Sequence, residues 1–135
     1  DELRIVADDF KLPNGLCFSP DEKILYIVDS GGPRHIRALD VGADGSLSNS
    51  RVFCALVGGP PDGICCDEHG NLYTSAPDGV EIFGPEGGKI GKILHTKRAA
   101  NLCFGGADDR SLLITAHDKL FRVNLKVRGC LRREG

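Results

Sequence analysis

Pro13-Asn14-Gly15-Leu16-Cys17-Phe18-Ser19-Pro20-Asp21 is the stretch from which the fold is read, because the chain repeats it twice in altered form. Pro61-Asp62-Gly63-Ile64-Cys65-Cys66-Asp67-Glu68 and Ala100-Asn101-Leu102-Cys103-Phe104-Gly105-Gly106 can be laid on it. With Leu16, Ile64 and Leu102 as equivalents, the copies lie 48 and 38 residues apart. Each copy leads through a polar turn into a short apolar run: Ile24-Leu25-Tyr26-Ile27-Val28, Leu72-Tyr73-Thr74 and Leu112-Leu113-Ile114-Thr115. A further run follows, at Ile36 to Val41, Gly79 to Phe83 and Leu120 to Leu125, with the period-2 character of a strand. Each copy is also preceded by a strand-like run: Leu3 to Ala7, Arg51 to Ala55 and Lys89 to Leu94. Thr96 to Leu102 is the one stretch with modest helical spacing, and it is too short for a stable helix.

About four strands in about 40–45 residues is the period of a β-propeller blade. A tandem sandwich is the alternative, but it has no need of equivalent turns at such even intervals. The expected fold is therefore all-β, with about three propeller blades. Residues 1–12 are expected to be the last strand of a preceding blade. Residues 13–58 and 59–98 form one blade each, and 99–135 the final blade and C-terminal tail. Propellers close with about four to eight blades, and three would leave two open sheet faces. The chain thus reads as the C-terminal part of a longer propeller whose N-terminal blades lie elsewhere. A half-ring completed in a self-complementing oligomer is the alternative.

The 135 residues suit one domain, and 17 basic against 19 acidic side chains give a net charge of −2. That balance lacks the basic footprint of a nucleic-acid or anionic-membrane binder, so neither partner is expected. No apolar run approaches the roughly 18 residues of a membrane helix. The start, Asp1-Glu2-Leu3-Arg4, is charged and has no signal-peptide pattern. Six cysteines are present, and Cys17, Cys65 and Cys103 fall at equivalent strand positions. Packed sheets lie about 10 Å apart, beyond the Cα separation of about 7 Å that a disulfide tolerates, so no bridge is expected there. Adjacent Cys65 and Cys66 face opposite ways and make no C-x-x-C chelate. Buried free thiols fit a reducing, cytoplasmic setting; a periplasmic one stays open if a signal peptide precedes Asp1.

Leu12 to Glu22, with Leu25-Tyr26-Ile27-Val28-Asp29-Ser30 after it, resembles the gluconolactonase / senescence marker protein / luciferin-regenerating enzyme family. So do Gly32-Pro33-Arg34-His35-Ile36-Arg37, Pro61-Asp62-Gly63-Ile64 with Asp67-Glu68-His69-Gly70-Asn71-Leu72, and Ala100 to Gly106. The ending Leu120-Phe121-Arg122-Val123 with Lys126-Val127-Arg128-Gly129 looks like the C-terminus of bacterial sugar lactonases. The resemblance covers essentially the whole chain. It implies a six-bladed propeller that holds a divalent cation at its channel and hydrolyses small sugar lactones such as gluconolactone. It also implies metal ligands at Asn14 and Asp62. The family's Glu from the first blade and Asn from an intermediate blade have no counterpart here, and Glu2 lies in the wrong strand context.

The residue chemistry stands beside that resemblance. A hard cation takes oxygen donors, six to eight of them for Ca²⁺. Asn14 offers an amide carbonyl and Asp62 a carboxylate, at equivalent places just before the first strand of two blades. Zn²⁺, Mg²⁺ or Mn²⁺ could share such donors. Asn-Gly and Asp-Gly are first of all turn dipeptides; their matched register and the family motif single out these two, while Asp44-Gly45 and Asp78-Gly79 stay ordinary turns. Gly15 and Gly63 would let the backbone turn sharply. Asp62 is the one nearby acid to nominate as general base, hence as catalytic residue. Asn101, one place later than Asn14, and His35 are candidate substrate-binding residues, each with a plain turn as the alternative. His117-Asp118 reads as a loop, and Arg128, Arg132 and Arg133 as solvated charge. Two other readings are carried: a non-catalytic propeller fragment or interaction module, and an organophosphatase-like hydrolase on the same scaffold.

Overall fold

The computed structural model describes residues 2–95 and 97–130; Arg132 and Arg133 lie outside the described residues. Among the described residues eleven strands form three antiparallel sheets and no helix occurs. The first sheet is β1 (Pro13–Phe18), β2 (Ile24–Asp29), β3 (His35–Val41) and β4 (Leu47–Ala55), hydrogen-bonded in chain order. The second is β5 (Ile64–Cys66), β6 (Leu72–Ala76), β7 (Gly79–Phe83) and β8 (Lys89–Leu94), again in chain order. The third has β9 (Asn101–Gly105), β10 (Ser111–Ala116) and β11 (Lys119–Asn124). The protein is a partial β-propeller. Thr96 to Leu102 gives no helix among its described residues, and β9 begins at Asn101.

Cores lie between sheets. Tyr26, Val28, Ile36, Ala38, Cys54 and Leu56 of the first blade pack with Ile64, Leu72 and Phe83 of the second. Tyr73 and Val80 of the second blade pack with Leu102, Leu112 and Ile114 of the third. Val28, Ile36 and Leu72 are fully buried, each contributing about 1.5–3 kcal/mol of burial energy. Every residue of β6 is buried, because its sheet is covered on both faces. On β1 and β11 burial alternates instead, and Leu16 and Leu120, 61% and 67% exposed, mark the uncovered outer faces of the end sheets.

Two segments depart from the four-strand pattern of the repeat within this chain. Residues 2–12 contain no strand, although Leu3 to Ala7 has strand character. An edge strand needs a sheet to pair with; none among the described residues takes this segment, and Leu3, Ile5 and Val6 are exposed. What holds its end is polar. Arg37 pairs with Asp9 at 2.7 Å and stacks over the Phe10 ring, while Asp29 accepts the Lys11 and Leu12 amides at 2.9 Å. The third sheet also lacks a fourth strand among the described residues. After β11 the chain turns back: the Leu125 amide donates to Arg110 O, that of Gly129 to Asp109 O, and Gly129 bridges Asp67 of the second blade.

The six cysteines are free thiols. Only Cys54 and Cys66 are buried, however; Cys103 is exposed, because the third sheet leaves its side of β9 uncovered. His117-Asp118 forms the tight turn between β10 and β11, with His117 at φ 54°.

Candidate functional site at the mouth of the first strands

The N-terminal ends of β1, β5 and β9 meet side by side. The Gly15 amide donates to Asp62 O at 3.0 Å, and one blade on the Gly63 amide donates to Ala100 O at 2.9 Å. The same bond therefore links each blade to the next, and the structural equivalents are Asn14, Asp62 and Ala100. Asn101 falls one place later, level with Gly15 and Gly63.

The glycines have a different role from the expected sharp turn. Neither Gly15 nor Gly63 has positive φ. A Cβ on Gly15 would stand 2.3 Å from Asp62 O, and one on Gly63 2.2 Å from Asn101 Oδ1 and 2.7 Å from its Cα. Glycine is required because neighbouring blades touch backbone to backbone.

Behind these ends stands a row of hydroxyls. The Ser75 hydroxyl, buried on β6, accepts the Asp62 and Gly63 amides at 3.0 and 3.1 Å. Thr115 on β10 accepts the Asn101 amide at 3.1 Å. Ser30, just past β2, donates to Pro61 O at 2.6 Å and accepts from Asn14 Nδ2 at 3.2 Å. The Asn14 amide nitrogen is thus engaged, which leaves Oδ1 as its acceptor atom. The half-buried Asp62 carboxylate has no hydrogen bond or ion pair among the described residues.

Asn14 and Asp62 therefore offer one neutral and one anionic oxygen donor at equivalent ends of adjacent blades. That donor chemistry fits a hard cation. Two donors are fewer than such an ion takes, and among the described residues no group of three or more His, Cys, Asp or Glu could hold a metal. The remaining ligands would come from water or from outside this chain.

The substrate-binding candidates lie at the corresponding ends of their blades, Asn101 at the start of β9 and His35 at the start of β3. Asn101 is exposed, and its Oδ1 accepts the Leu102 amide at 2.9 Å, so Nδ2 is left to donate. His35 begins β3, half-buried and level with Asp29. It lies at the same end of its blade but two strands out from β1, which is about 10 Å at the usual strand spacing. Asn14 and Asn101 line separate cavities, of about 460 and 150 Å³, on the outer sides of the end sheets.

Sequence reasoning missed two aspartates that hold the loops in shape. Asp29 is 2% exposed. Burial pushes its carboxyl up, but the amides of Lys11, Leu12 and Gly31 outweigh that and hold it below the usual range. Asp67, fully buried, accepts the His69 and Asn71 amides, Asn71 Nδ2 and the Tyr73 hydroxyl. The only signal was turn chemistry: Asp29-Ser30-Gly31 and Asp67-Glu68-His69-Gly70-Asn71 each close a strand end.

Residues 1–118 match the family described as SMP-30/Gluconolactonase/LRE-like region. The gluconolactonase of Zymomonas mobilis is 34% identical over 139 residues, which cover 94% of this chain and 38% of that protein. The 6-deoxy-6-sulfogluconolactonase of Pseudomonas putida is 34% identical over 120 residues, 84% of this chain and 40% of its own. Among solved structures, the gluconolactonase XC5397 of Xanthomonas campestris superposes with a TM-score of 0.81 at 37% identity, over 87% of this chain and 39% of that one. The chain spans about two fifths of the length of these relatives.

Proposed function

Because the chain belongs to the SMP-30/gluconolactonase/LRE-like family, we propose that it contributes three blades, 13–58, 59–98 and 99–135, to the ring of a divalent-cation-dependent sugar-lactone hydrolase. The observation that carries this reading is the pairing of Asn14 and Asp62 at equivalent ends of adjacent blades, tied by the Gly15-to-Asp62 backbone bond. Asn14 Oδ1 and the Asp62 carboxylate would hold the cation, with Ca²⁺ the first choice for an all-oxygen set. When bound, the ion supplies Lewis-acid polarisation of the lactone carbonyl.

The chain's own groups do the rest. The Asp62 carboxylate has two oxygens and no protein partner among the described residues, so one oxygen can accept a proton from the water that attacks the lactone carbonyl. Ser75 fixes the Asp62 backbone from behind, and Ser30 fixes the Asn14 side-chain amide before substrate arrives. Asn101 Nδ2 would donate to a sugar hydroxyl, and His35 would approach one from the start of β3.

Acid release from δ-gluconolactone, read with a pH indicator, tests the proposal in a chimera. In it, this chain replaces the matching segment of the Zymomonas mobilis gluconolactonase. The expected result is hydrolysis that EDTA removes and a divalent cation restores. A folded chimera that is inert, or that ignores EDTA, contradicts it; a phosphotriester turned over in preference to the lactone points to organophosphatase chemistry instead.

A further inference from the structure

Five of the six cysteines gather beyond Asn14 and Asp62 along the first strands. Cys17, Cys65, Cys66, Cys103 and Cys130 line one cavity of about 450 Å³, beside Phe18, Ser19 and Phe104, at the opposite ends of the first strands. Among the described residues they form no group able to hold a metal ion. Two of them have a closer relationship.

The segment that returns from the third blade crosses the second. The Glu68 amide donates to Arg128 O at 2.9 Å and the Cys130 amide to Cys66 O at 3.0 Å, and these two bonds frame the antiparallel Asp67–Gly129 bridge. One step along that ladder, Cys66 lies directly opposite Cys130. Antiparallel residues in such a position have Cα atoms about 5.5 Å apart, inside the range of about 4.4–6.8 Å that disulfides span. Their side chains share one face, and both residues line the same cavity.

We propose that Cys66 and Cys130 form a dithiol modification site, which a low-molecular-weight disulfide converts into a reversible disulfide that staples the returning C-terminal segment to the second blade.

The roles of the two thiols differ. Cys130 is half-buried and lines the open cavity. Its thiol donates to Asp67 O at 3.3 Å, and the Cys66 thiol across the ladder holds it below the ordinary thiol range against the effect of burial. Cys66 is buried, and the neighbouring Cys130 sulfur and then burial both push its thiol up. Cys130 is therefore the attacking sulfur. Its thiolate attacks one sulfur of the external disulfide, forms a mixed disulfide and expels one external thiolate, which takes up a proton. Cys66 then loses its proton to solvent and attacks the Cys130 sulfur, and the second external thiolate leaves. Two protein thiols are oxidised by two electrons, and one external disulfide is reduced to two thiols. The second step is the slower one.

Treatment of the full chain with oxidised glutathione, acid quenching and peptide mapping by mass spectrometry tests the site. The expected product is a single cross-link between the peptides bearing Cys66 and Cys130, two hydrogens lighter than the reduced pair and reversed by dithiothreitol. Cys66→Ser should stop at the glutathione adduct on Cys130, and Cys130→Ser should give no cross-link from Cys66. Amide hydrogen exchange guards against misfolded variants: oxidation should slow exchange at the Glu68 and Cys130 amides at least tenfold in the parent chain only. A cross-link to Cys17 or Cys103, a persistent glutathione adduct on Cys130 of the parent, or unchanged exchange on oxidation overturns the assignment. These readouts do not involve lactone turnover, so they stand or fall apart from the proposed function.

Discussion

The Gly15 amide donates to the Asp62 carbonyl at 3.0 Å across the boundary between the first and second blades. That one bond places Asn14, the neighbour of the donor, beside Asp62, the bearer of the acceptor, although 48 residues separate them. Its geometry is available only while no side chain intervenes, and it repeats between the second and third blades at Gly63 and Ala100.

Gly15→Ala and Gly63→Ala should therefore each destabilise the chain by about 1–3 kcal/mol, the usual cost of overpacking a closed contact. Gly88→Ala is the control: a Cβ there meets nothing within 4 Å and should change stability by less than about 0.5 kcal/mol. Urea unfolding midpoints at unchanged slope check all three.

Ser75→Ala removes a buried hydroxyl that accepts two amides. The Gly63 amide retains Ala100 O, but the Asp62 amide loses its acceptor, at an expected cost of about 1–3 kcal/mol. Thr115→Val makes the equivalent change at an exposed position, where water can replace the hydroxyl, and should cost less than about 1 kcal/mol. The order of the two urea midpoints is the readout.

Asp29 links stability to pH. Its carboxyl is held below the usual range by three backbone amides, against the opposing effect of burial. A carboxyl depressed on folding stabilises the folded state above its unfolded pKa of about 3.9, and that stabilisation is lost as pH falls through the folded value. The parent chain should therefore lose urea resistance progressively below about pH 4. Asp29→Asn should be less stable at pH 7 and flatter through the acid range. Parallel midpoints from pH 7 to pH 3 would contradict the assignment.

Much of this was legible in the sequence, because blades are locally paired. Ile24 to Val28, Gly79 to Phe83 and Leu112 to Thr115 carry strand character that their nearest neighbours satisfy, so each run is a strand in the structure. The shared register of Asn14 and Asp62 was legible for the same reason: it follows from the repeat. Features that depend on what lies beside a blade were not legible. Leu3 to Ala7 has the composition of a strand but finds no sheet edge among the described residues. Cys103 matches Cys17 and Cys65 in register, yet its side of β9 is uncovered. The return of Gly129 to Asp67 joins residues 62 positions apart with no periodic signal. Asp29 and Asp67 looked like turn residues because their function is exercised through backbone amides, which no side-chain pattern reports.

Manganese titration followed by nuclear magnetic resonance tests most directly whether Asn14 and Asp62 share one cation. Substoichiometric Mn²⁺ should broaden the Asn14 side-chain amide together with the backbone amides of Gly15 and Gly63. Excess Ca²⁺ should reverse the effect, and Asp62→Asn should weaken it at least tenfold. Broadening at Asn14 that Asp62→Asn leaves intact, or no paired broadening up to millimolar metal, would contradict the shared site and with it the proposed lactone chemistry.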